Sequence, residues 1–338
     1  MLKSALIKVI DKKNLTEEEM IEALREIMNG KSSLSVIGSF LTALKLKGET
    51  PIEITGGAKV MREKAEKINL DDLYTLDTCG TGGDNLGTFN ISTASAFVCA
   101  AAGCFVSKHG NRSVSSKSGS ADVLEELGVN INLNPKAVEE CVRNQNIGFL
   151  FAPSFHKAMK HAMPVRKELG FRTIFNILGP LTNPAKARSQ VVGVFDERLT
   201  ETMAEVLKNL GVKHALVVHG MDGLDEISIS DKTKVTELYK DKIKTYYITP
   251  EDFGFKRHDI SEVLGGTAKD NAKIINDIFD GEISAKRDIV LLNSGAALYV
   301  NKNLNSIEEG INLAKKIIDS EKAKEKLREF REYTKTFS

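Results

Sequence analysis

Tryptophan is absent from this 338-residue chain, aromatic residues make up only 6%, and there are just four cysteines and seven prolines. Cys79, Cys99, Cys104 and Cys141 show no C-x-x-C spacing, so the usual signature of a paired redox or metal site is missing, and they read as buried free thiols. An excess of charge is lacking as well. With 47 Lys+Arg against 46 Asp+Glu the net charge is +1, and no overall field draws the protein to nucleic acid or to an anionic membrane. Long apolar runs are missing too: the stretch 94–106 is shorter than the roughly 20 residues that span a bilayer. Lys8 breaks the apolar start that a signal peptide needs, so a cytoplasmic protein without membrane or nucleic-acid partners is expected.

What is present suits a folded protein. Apolar residues account for 41% and charged residues for 28%, ordinary values for a globular chain. The length exceeds the roughly 250 to 300 residues at which single cores stop growing, so a large domain with a smaller one is expected.

The first 70 residues carry helical periodicity only. Thr16 and Glu19 form a capping box, followed by Met20, Ile21, Leu24, Ile27 and Met28 at helical spacing up to Gly30. Further helices are expected over 33–47 and from Thr50-Pro51, with Thr50 as N-cap. From Leu73 short apolar runs alternate with helical stretches. Strands are expected over 73–78, 104–108, 147–152, 191–195 and 215–218, and helices over 93–102, 122–127, 135–145 and 197–210. Such alternation predicts a mostly parallel sheet covered on both faces, with ligands at the carboxyl ends of its strands. The segment 173–184, with two prolines and a glycine, reads as a connector or hinge. Residues 233–249 suit antiparallel edge strands, and the tail from Ser306 reads as helix with Ile307, Ile311, Ala314, Ile317 and Ile318 on its apolar face.

Two segments carry the chemistry. Gly80-Thr81-Gly82-Gly83-Asp84 follows a strand and lets bare N–H groups approach anionic oxygens. It fails both common nucleotide fingerprints, since Asn85 stands where G-x-G-x-x-G needs glycine and no Gly-Lys-Ser/Thr follows. A tight turn is the alternative. Behind it, Thr88 to Thr93 opens an Ala-rich helix with Ser92 or Thr93 as N-cap candidates, aiming the positive dipole end at bound phosphate. The second segment sets Lys108, His109, Arg112 and Lys117 among serines after the next strand, where cations can hold phosphate oxygens. Asp225-Glu226 lies beyond a later strand. An acidic surface turn is the commoner arrangement, but beside a diphosphate such hard oxygen donors suit Mg²⁺.

Gly80-Thr81-Gly82-Gly83-Asp84, Asn90-Ile91-Ser92-Thr93, Lys108-His109-Gly110-Asn111-Arg112 and Asp225-Glu226, in this order after an all-helical start, resemble the anthranilate phosphoribosyltransferase family through nearly the whole chain. Thr88 stands where many relatives have serine, which keeps the hydroxyl. The resemblance implies an α/β fold with a small helical domain over 1–70, completed by part of 165–190. The remainder, 71–338, would be a large domain with a mostly parallel central sheet, of the nucleoside phosphorylase type, binding the donor. The implied activity moves the phosphoribosyl group of 5-phosphoribosyl 1-diphosphate to the amine of anthranilate, releasing diphosphate, the second step of tryptophan biosynthesis from chorismate.

By the same resemblance Gly80, Gly83, Asp84, Thr88, Asn90, Ile91, Ser92, Thr93, Lys108, His109, Gly110, Asn111, Arg112, Ser113, Val114, Ser115, Ser116 and Ser120 would line the donor site. Gly80, Asn111, Arg166 and His109 would line the anthranilate site, and Ser92, Asp225 and Glu226 would hold two Mg²⁺ ions. A homodimer through the N-terminal helices is also implied. No residue is assigned as general base: the aromatic amine is already neutral, and His109 beside a basic run reads as a shaping residue. A pyrimidine nucleoside phosphorylase would share the architecture without needing the paired carboxylates. A nucleic-acid-binding relative finds no support in the charge balance.

Overall fold

The computed structural model describes residues 1–113 and 117–337. The chain opens with four helices, α1 (Leu2–Ile10), α2 (Glu17–Met28), α3 (Leu34–Lys47) and α4 (Pro51–Lys64). Capping boxes start α2 and α4: Thr16 and Thr50 each accept the N–H three residues on, and Glu19 and Glu53 each reach back. Glu53 does more. Fully buried, it also takes the Leu15 N–H at 2.9 Å and the Lys47 ammonium at 2.9 Å, tying the α1–α2 loop to the end of α3.

The remaining chain builds one seven-stranded sheet among the described residues, from β1 (Thr75–Gly80), β2 (Phe105–Gly110), β3 (Ile147–Phe151), β4 (Ser189–Gly193), β5 (His214–Gly220), β6 (Thr233–Tyr239) and β7 (Lys242–Ile248). Their order is β3-β2-β1-β4-β5-β6-β7, parallel through β5 and antiparallel beyond. The edge pair expected over 233–249 is therefore present as β6 and β7. The expected β1 and β2 end two residues early and the expected β4 starts two residues late. The polar and glycine ends that look like loop in sequence still pair, Cys79 with Val192 and Gly80 with Gly193.

Alternation along the strands separates two cores. Leu76, Val106, Val191, Leu216 and Val218 face α5 (Ile91–Ala101) and the C-terminal helices, among them the deeply buried Ala285–Lys302. The five expected apolar residues of the tail, Ile307, Ile311, Ala314, Ile317 and Ile318, belong to this core. On the other face, Val192, Val194, Ala215 and Val217 share a core with the helix Leu199–Asn209 and with α1–α4.

Two expectations are corrected here. The segment 173–184, expected as a connector or hinge, is a packed connector: Ile174, Phe175, Ile177, Leu178 and Leu181 are buried against α1–α4 and the sheet. Asn183, fully buried, donates to the Asp77 carboxylate and to the Ser107 carbonyl, both at 2.7 Å. Its prolines and glycine shape a short helix and a 3-10 turn rather than a free joint. The second correction is the start of α5, whose N-cap is Asn90 and not Ser92 or Thr93. Helix begins two residues earlier because the Asn90 carbonyl already accepts from Thr93 and Ala94.

Candidate active site

In the order β3-β2-β1-β4-β5 the chain reverses direction across the sheet between β1 and β4, and an open crevice forms beyond their carboxyl ends at such a point. The glycine loop leaves β1 there. Gly82 and Gly83 have φ of 64° and 79°, a left-handed backbone that glycine adopts without strain. Thr81 fastens the loop to β4, its N–H donating to the Gly193 carbonyl at 2.9 Å and its hydroxyl accepting from Phe195 at 3.1 Å.

Asp225 enters this crevice from beyond β5. The Gly82 N–H donates to its carboxylate at 2.7 Å. A Cβ on Gly80 would lie 2.6 Å from the same carboxylate, and one on Gly193 would lie 1.5 Å from the Asp225 carbonyl oxygen. The two paired glycines ending β1 and β4 are thus what admits the acidic turn. Burial, with Asp84 and Glu226 close by, holds the Asp225 carboxyl well above the usual carboxylate range. Burial likewise lifts Glu226 to about 7, opposed by Lys108 and by hydrogen bonds from the Ser92 N–H and hydroxyl. One carboxylate oxygen of Asp84 is buried without a partner.

The opposite wall comes from β2 and α5. Lys108, 3% exposed, donates to the Thr78 carbonyl at 2.5 Å and to the Ser92 hydroxyl at 3.2 Å. Burial lowers its pKa, against the pull of Asp77, Cys79 and Glu226. Lys108, Ser92, Asp84, Asp225 and Glu226 therefore surround one space, a single cation against three carboxyl groups. Among the described residues no three His, Cys, Asp or Glu side chains are grouped closely enough to form a self-sufficient metal cage. Thr93 and Ile91 are buried in the first turn of α5, and Thr88 pairs with Leu264.

His109 points to the other face of the sheet, toward the helical domain. Its ring meets His156 edge-on at 5.1 Å between centroids. Burial, with His156 beside it, drives its pKa well below the usual imidazole value, and burial lowers that of His156 to about 4. Both rings are neutral at pH 7.

Beyond β2 the chain doubles back. Gly110 abuts Ser120, whose hydroxyl donates to the Asn111 carbonyl at 3.2 Å, while Asp122 accepts from the Ser113 and Gly119 N–H groups. The Arg112 guanidinium does not face the crevice chemistry: Glu125 and Asp122 hold it at 2.5 and 3.0 Å. Val114, Ser115 and Ser116 lie outside the described residues. Arg166, on the helix Met163–Leu169, sits over the Phe175 ring at 5.5 Å and has no acidic partner among the described residues. Burial alone lowers its pKa, and it stays charged.

Sequence reasoning passed over Arg172, His156 and Asn183. Arg172 lies over the Phe195 ring at 4.0 Å and donates to the Gly83 carbonyl, so it braces the glycine loop from the segment that also carries Arg166. No spacing rule points to it. A cavity of about 750 Å³ lined by Asn14, Thr16, Glu18, Lys59 and Asn209 lies away from the strand ends and shares none of these groups.

A glycine loop and helix start converge on carboxylates and a buried lysine at a parallel-sheet switch point, against a helical domain, an arrangement suited to a phosphate-bearing ligand. Residues 3–65 match the glycosyl transferase family helical bundle domain and residues 73–324 the glycosyl transferase family a/b domain. The chain is 60% identical over 337 residues to anthranilate phosphoribosyltransferase of Acetivibrio thermocellus, covering 100% of this chain and 98% of that one. It is 57% identical to the enzyme of the same name from Petrotoga mobilis, covering 98% and 97%. The crystal structure of anthranilate phosphoribosyltransferase from Thermus thermophilus superposes with a TM-score of 0.94 at 42% identity, over 98% of this chain and 99% of that one. The Saccharomyces cerevisiae enzyme in complex with PRPP and Mg gives 0.91 at 28%, over 99% and 98%.

The chain belongs to the anthranilate phosphoribosyltransferase family. It is a pentosyl-transferring enzyme of tryptophan biosynthesis, and its reaction joins anthranilate to the phosphoribosyl group with release of diphosphate.

Proposed function

We propose that this transfer takes place in the β1–β4 crevice, with the donor diphosphate between the glycine loop, the start of α5 and Lys108. The supporting observation is the meeting of Gly82, Asp225, Glu226, Ser92 and Lys108 in one space. Gly80, Gly83, Asp84, Thr88, Asn90, Ser92, Thr93, Lys108 and Ser120 would contact the donor, with the segment 109–116 alongside. Asn111 and Arg166, with His109 and Gly80, would form the anthranilate side. The unpaired Arg166 guanidinium suits the anthranilate carboxylate.

In the reaction the amine lone pair forms the C1–N bond, the C1–O bond breaks with its electrons leaving on diphosphate, and the amine loses one proton to the departing diphosphate or to solvent. Lys108 and the loop N–H groups would face the diphosphate oxygens on which negative charge grows. Neutral His109 and His156, packed edge-on, would add an uncharged wall on the acceptor side. The donor set fits magnesium: Asp225, Glu226 and Ser92, with the unpartnered Asp84 oxygen, are hard oxygen donors short of positive charge. Two ions per chain are proposed, and when bound they neutralise diphosphate oxygens.

Mixing the protein with the donor, anthranilate and Mg²⁺ and following anthranilate fluorescence tests this reading. Fluorescence falls in the complete mixture; persistence of the signal would sink it, and nucleoside phosphorolysis in its place would move the chain to the phosphorylase chemistry. Asp225→Asn with Glu226→Gln shifts the Mg²⁺ titration to higher concentration, and an unmoved titration removes both as ligands.

The helical domain is proposed as 1–70 together with part of 165–190, supported by the core that α1–α4 share with Val165, Ile174 and Leu178. A homodimer through the N-terminal helices is supported by the exposed Ile7, Ile10, Leu34 and Leu46, and light scattering tests it. A cytoplasmic location, in keeping with a biosynthetic enzyme, is tested by cell fractionation. No described helix is long and apolar enough to cross a membrane.

A further inference from the structure

Behind the donor wall lies a polar relay that starts at Gly265-Gly266-Thr267. The short segment 263–266 runs antiparallel to 87–89. Thr88 bridges Leu264, the Gly265 N–H donates to the Gly87 carbonyl at 2.9 Å, and the Phe89 N–H reaches the Val263 carbonyl at 3.4 Å. This approach leaves no room for a side chain: a Cβ on Gly265 would lie 2.7 Å from the Phe89 Cα and 2.5 Å from the Asn271 side-chain oxygen. Thr267 and Asp270 then cap the helix Ala268–Phe279, which fixes the first turn that carries Asn271.

Asn271 is 1% exposed. Its oxygen accepts from the Gly266 N–H at 2.8 Å, and its NH₂ donates to the Asn90 side-chain oxygen at 2.9 Å. The Asn90 NH₂ in turn donates to the Ser118 carbonyl at 3.2 Å. A backbone N–H can only donate, so the orientation of both amides is set from Gly266 outward. The oxygen of Asn271 must face Gly266, the oxygen of Asn90 must face Asn271, and the NH₂ of Asn90 must face forward. One hydrogen of that NH₂ meets Ser118, and the other is left for an anion at the mouth of α5.

We propose that Asn271 is a positioning residue for the donor site: it holds the Asn90 amide with its NH₂ toward the diphosphate and links the α5 wall to the segment that ends at Ser120. This rests on the reading of Asn90 as a donor contact. Asn271 touches no substrate and acts through Asn90, so its effect falls on one substrate rather than on the fold.

Steady-state kinetics on the full chain tests this with Asn90→Ala, Asn271→Ala, their double variant, and Asn271→Asp, with thermal unfolding recorded for each. Asn271→Asp keeps the acceptor for Gly266 but offers Asn90 no donor, so it reports on the relay even where Asn271→Ala folds poorly. Both Asn271 variants are expected to raise the donor KM on the order of tenfold, the usual scale for a residue that orients a ligand-binding group. The anthranilate KM at saturating donor stays within about twofold, and Asn271→Ala adds less than about twofold to Asn90→Ala, because coupled residues are not additive. Effects that multiply in the double variant, or equal rises in both KM values, overturn the relay. So does an unchanged donor KM in the Asn271 variants while Asn90→Ala raises it. If Asn90→Ala itself leaves the donor KM unchanged, the assignment of Asn90 falls and the relay falls with it.

Discussion

Arg166 and His156 are two residues whose environments make opposite demands on charge. Arg166 is a cation without an anion, half-buried beside Phe175. A charged hydrogen bond is worth about 1.5 to 3 kcal/mol, so Arg166→Ala should raise the anthranilate KM roughly ten- to hundredfold and leave the donor KM nearly unmoved. An equal effect on both substrates would remove its assigned role. His156 is held neutral, with a pKa near 4 against 6.5 when unfolded. The unfolded chain therefore binds a proton that the native state refuses over that window. Stability is full above pH 6.5 and is lost as pH falls toward 4, by about 2 kcal/mol at pH 5 from this residue. His109 works in the same direction. Denaturant unfolding at pH 7.5 and pH 5 checks this, and His156→Gln should shrink the difference. At this scale Arg166 was singled out by resemblance, as a cation proposed to meet the anthranilate carboxylate. His156 was not, because nothing in His-Lys-Ala distinguishes a buried ring from an exposed one. Arg172 was hidden for a similar reason: its partners, the Gly83 carbonyl and the Phe195 ring, belong to distant segments.

The elements themselves were more readable than their ends. The capping boxes at Thr16 and Thr50 and the proline at the start of α4 mark helix starts by local chemistry, which sequence carries directly. The ends of β1 and β4 are set instead by each other, since Gly80 and Gly193 pair and together make room for Asp225. Gly80 was read as a glycine required by the turn and by the ligands; a Cβ there would also meet the Asp225 carboxylate. Gly193, which carried no sequence signal, meets the stricter constraint. Gly193→Ala should push the 222–226 turn out of the crevice and cost at least about a hundredfold in kcat/KM, with a lower melting temperature, because backbone cannot yield as a side-chain tip does. A variant with native turnover would mean that the acidic turn moves freely. The segment 173–184 was misread for the converse reason: its Pro and Gly signals report local geometry and say nothing of the burial that Asn183 and Leu181 undergo.

For the whole molecule, the two-part architecture was legible in the shift from helical periodicity to strand-helix alternation at Leu73, while the sharing of one core between the parts was not. Val192, Val194 and Val217 pack with Met20, Leu24 and Phe40 in a single cluster, so the helical part covers a sheet face that the helix Leu199–Asn209 covers only in part. A chain reduced to 71–338 should consequently be insoluble or bind hydrophobic dyes. A soluble, cooperatively melting fragment would count against that dependence.

The strand order also bears on synthesis. β1 is an interior strand of the sheet, yet its partner strand β4 follows long after it, with β2 and β3 made in between. At ~5–20 residues per second, one edge of β1 emerges from the ribosome and stays unpaired for on the order of ten seconds. An open central edge is an invitation to aggregate, and a charge within it deters that. Asp77, whose burial in the finished sheet is costly, lies in that edge strand of the nascent chain. Ribosome-stalled chains ending before Ser189 should be retained by chaperones and those extending well past Gly193 released, with Asp77→Val prolonging the retention.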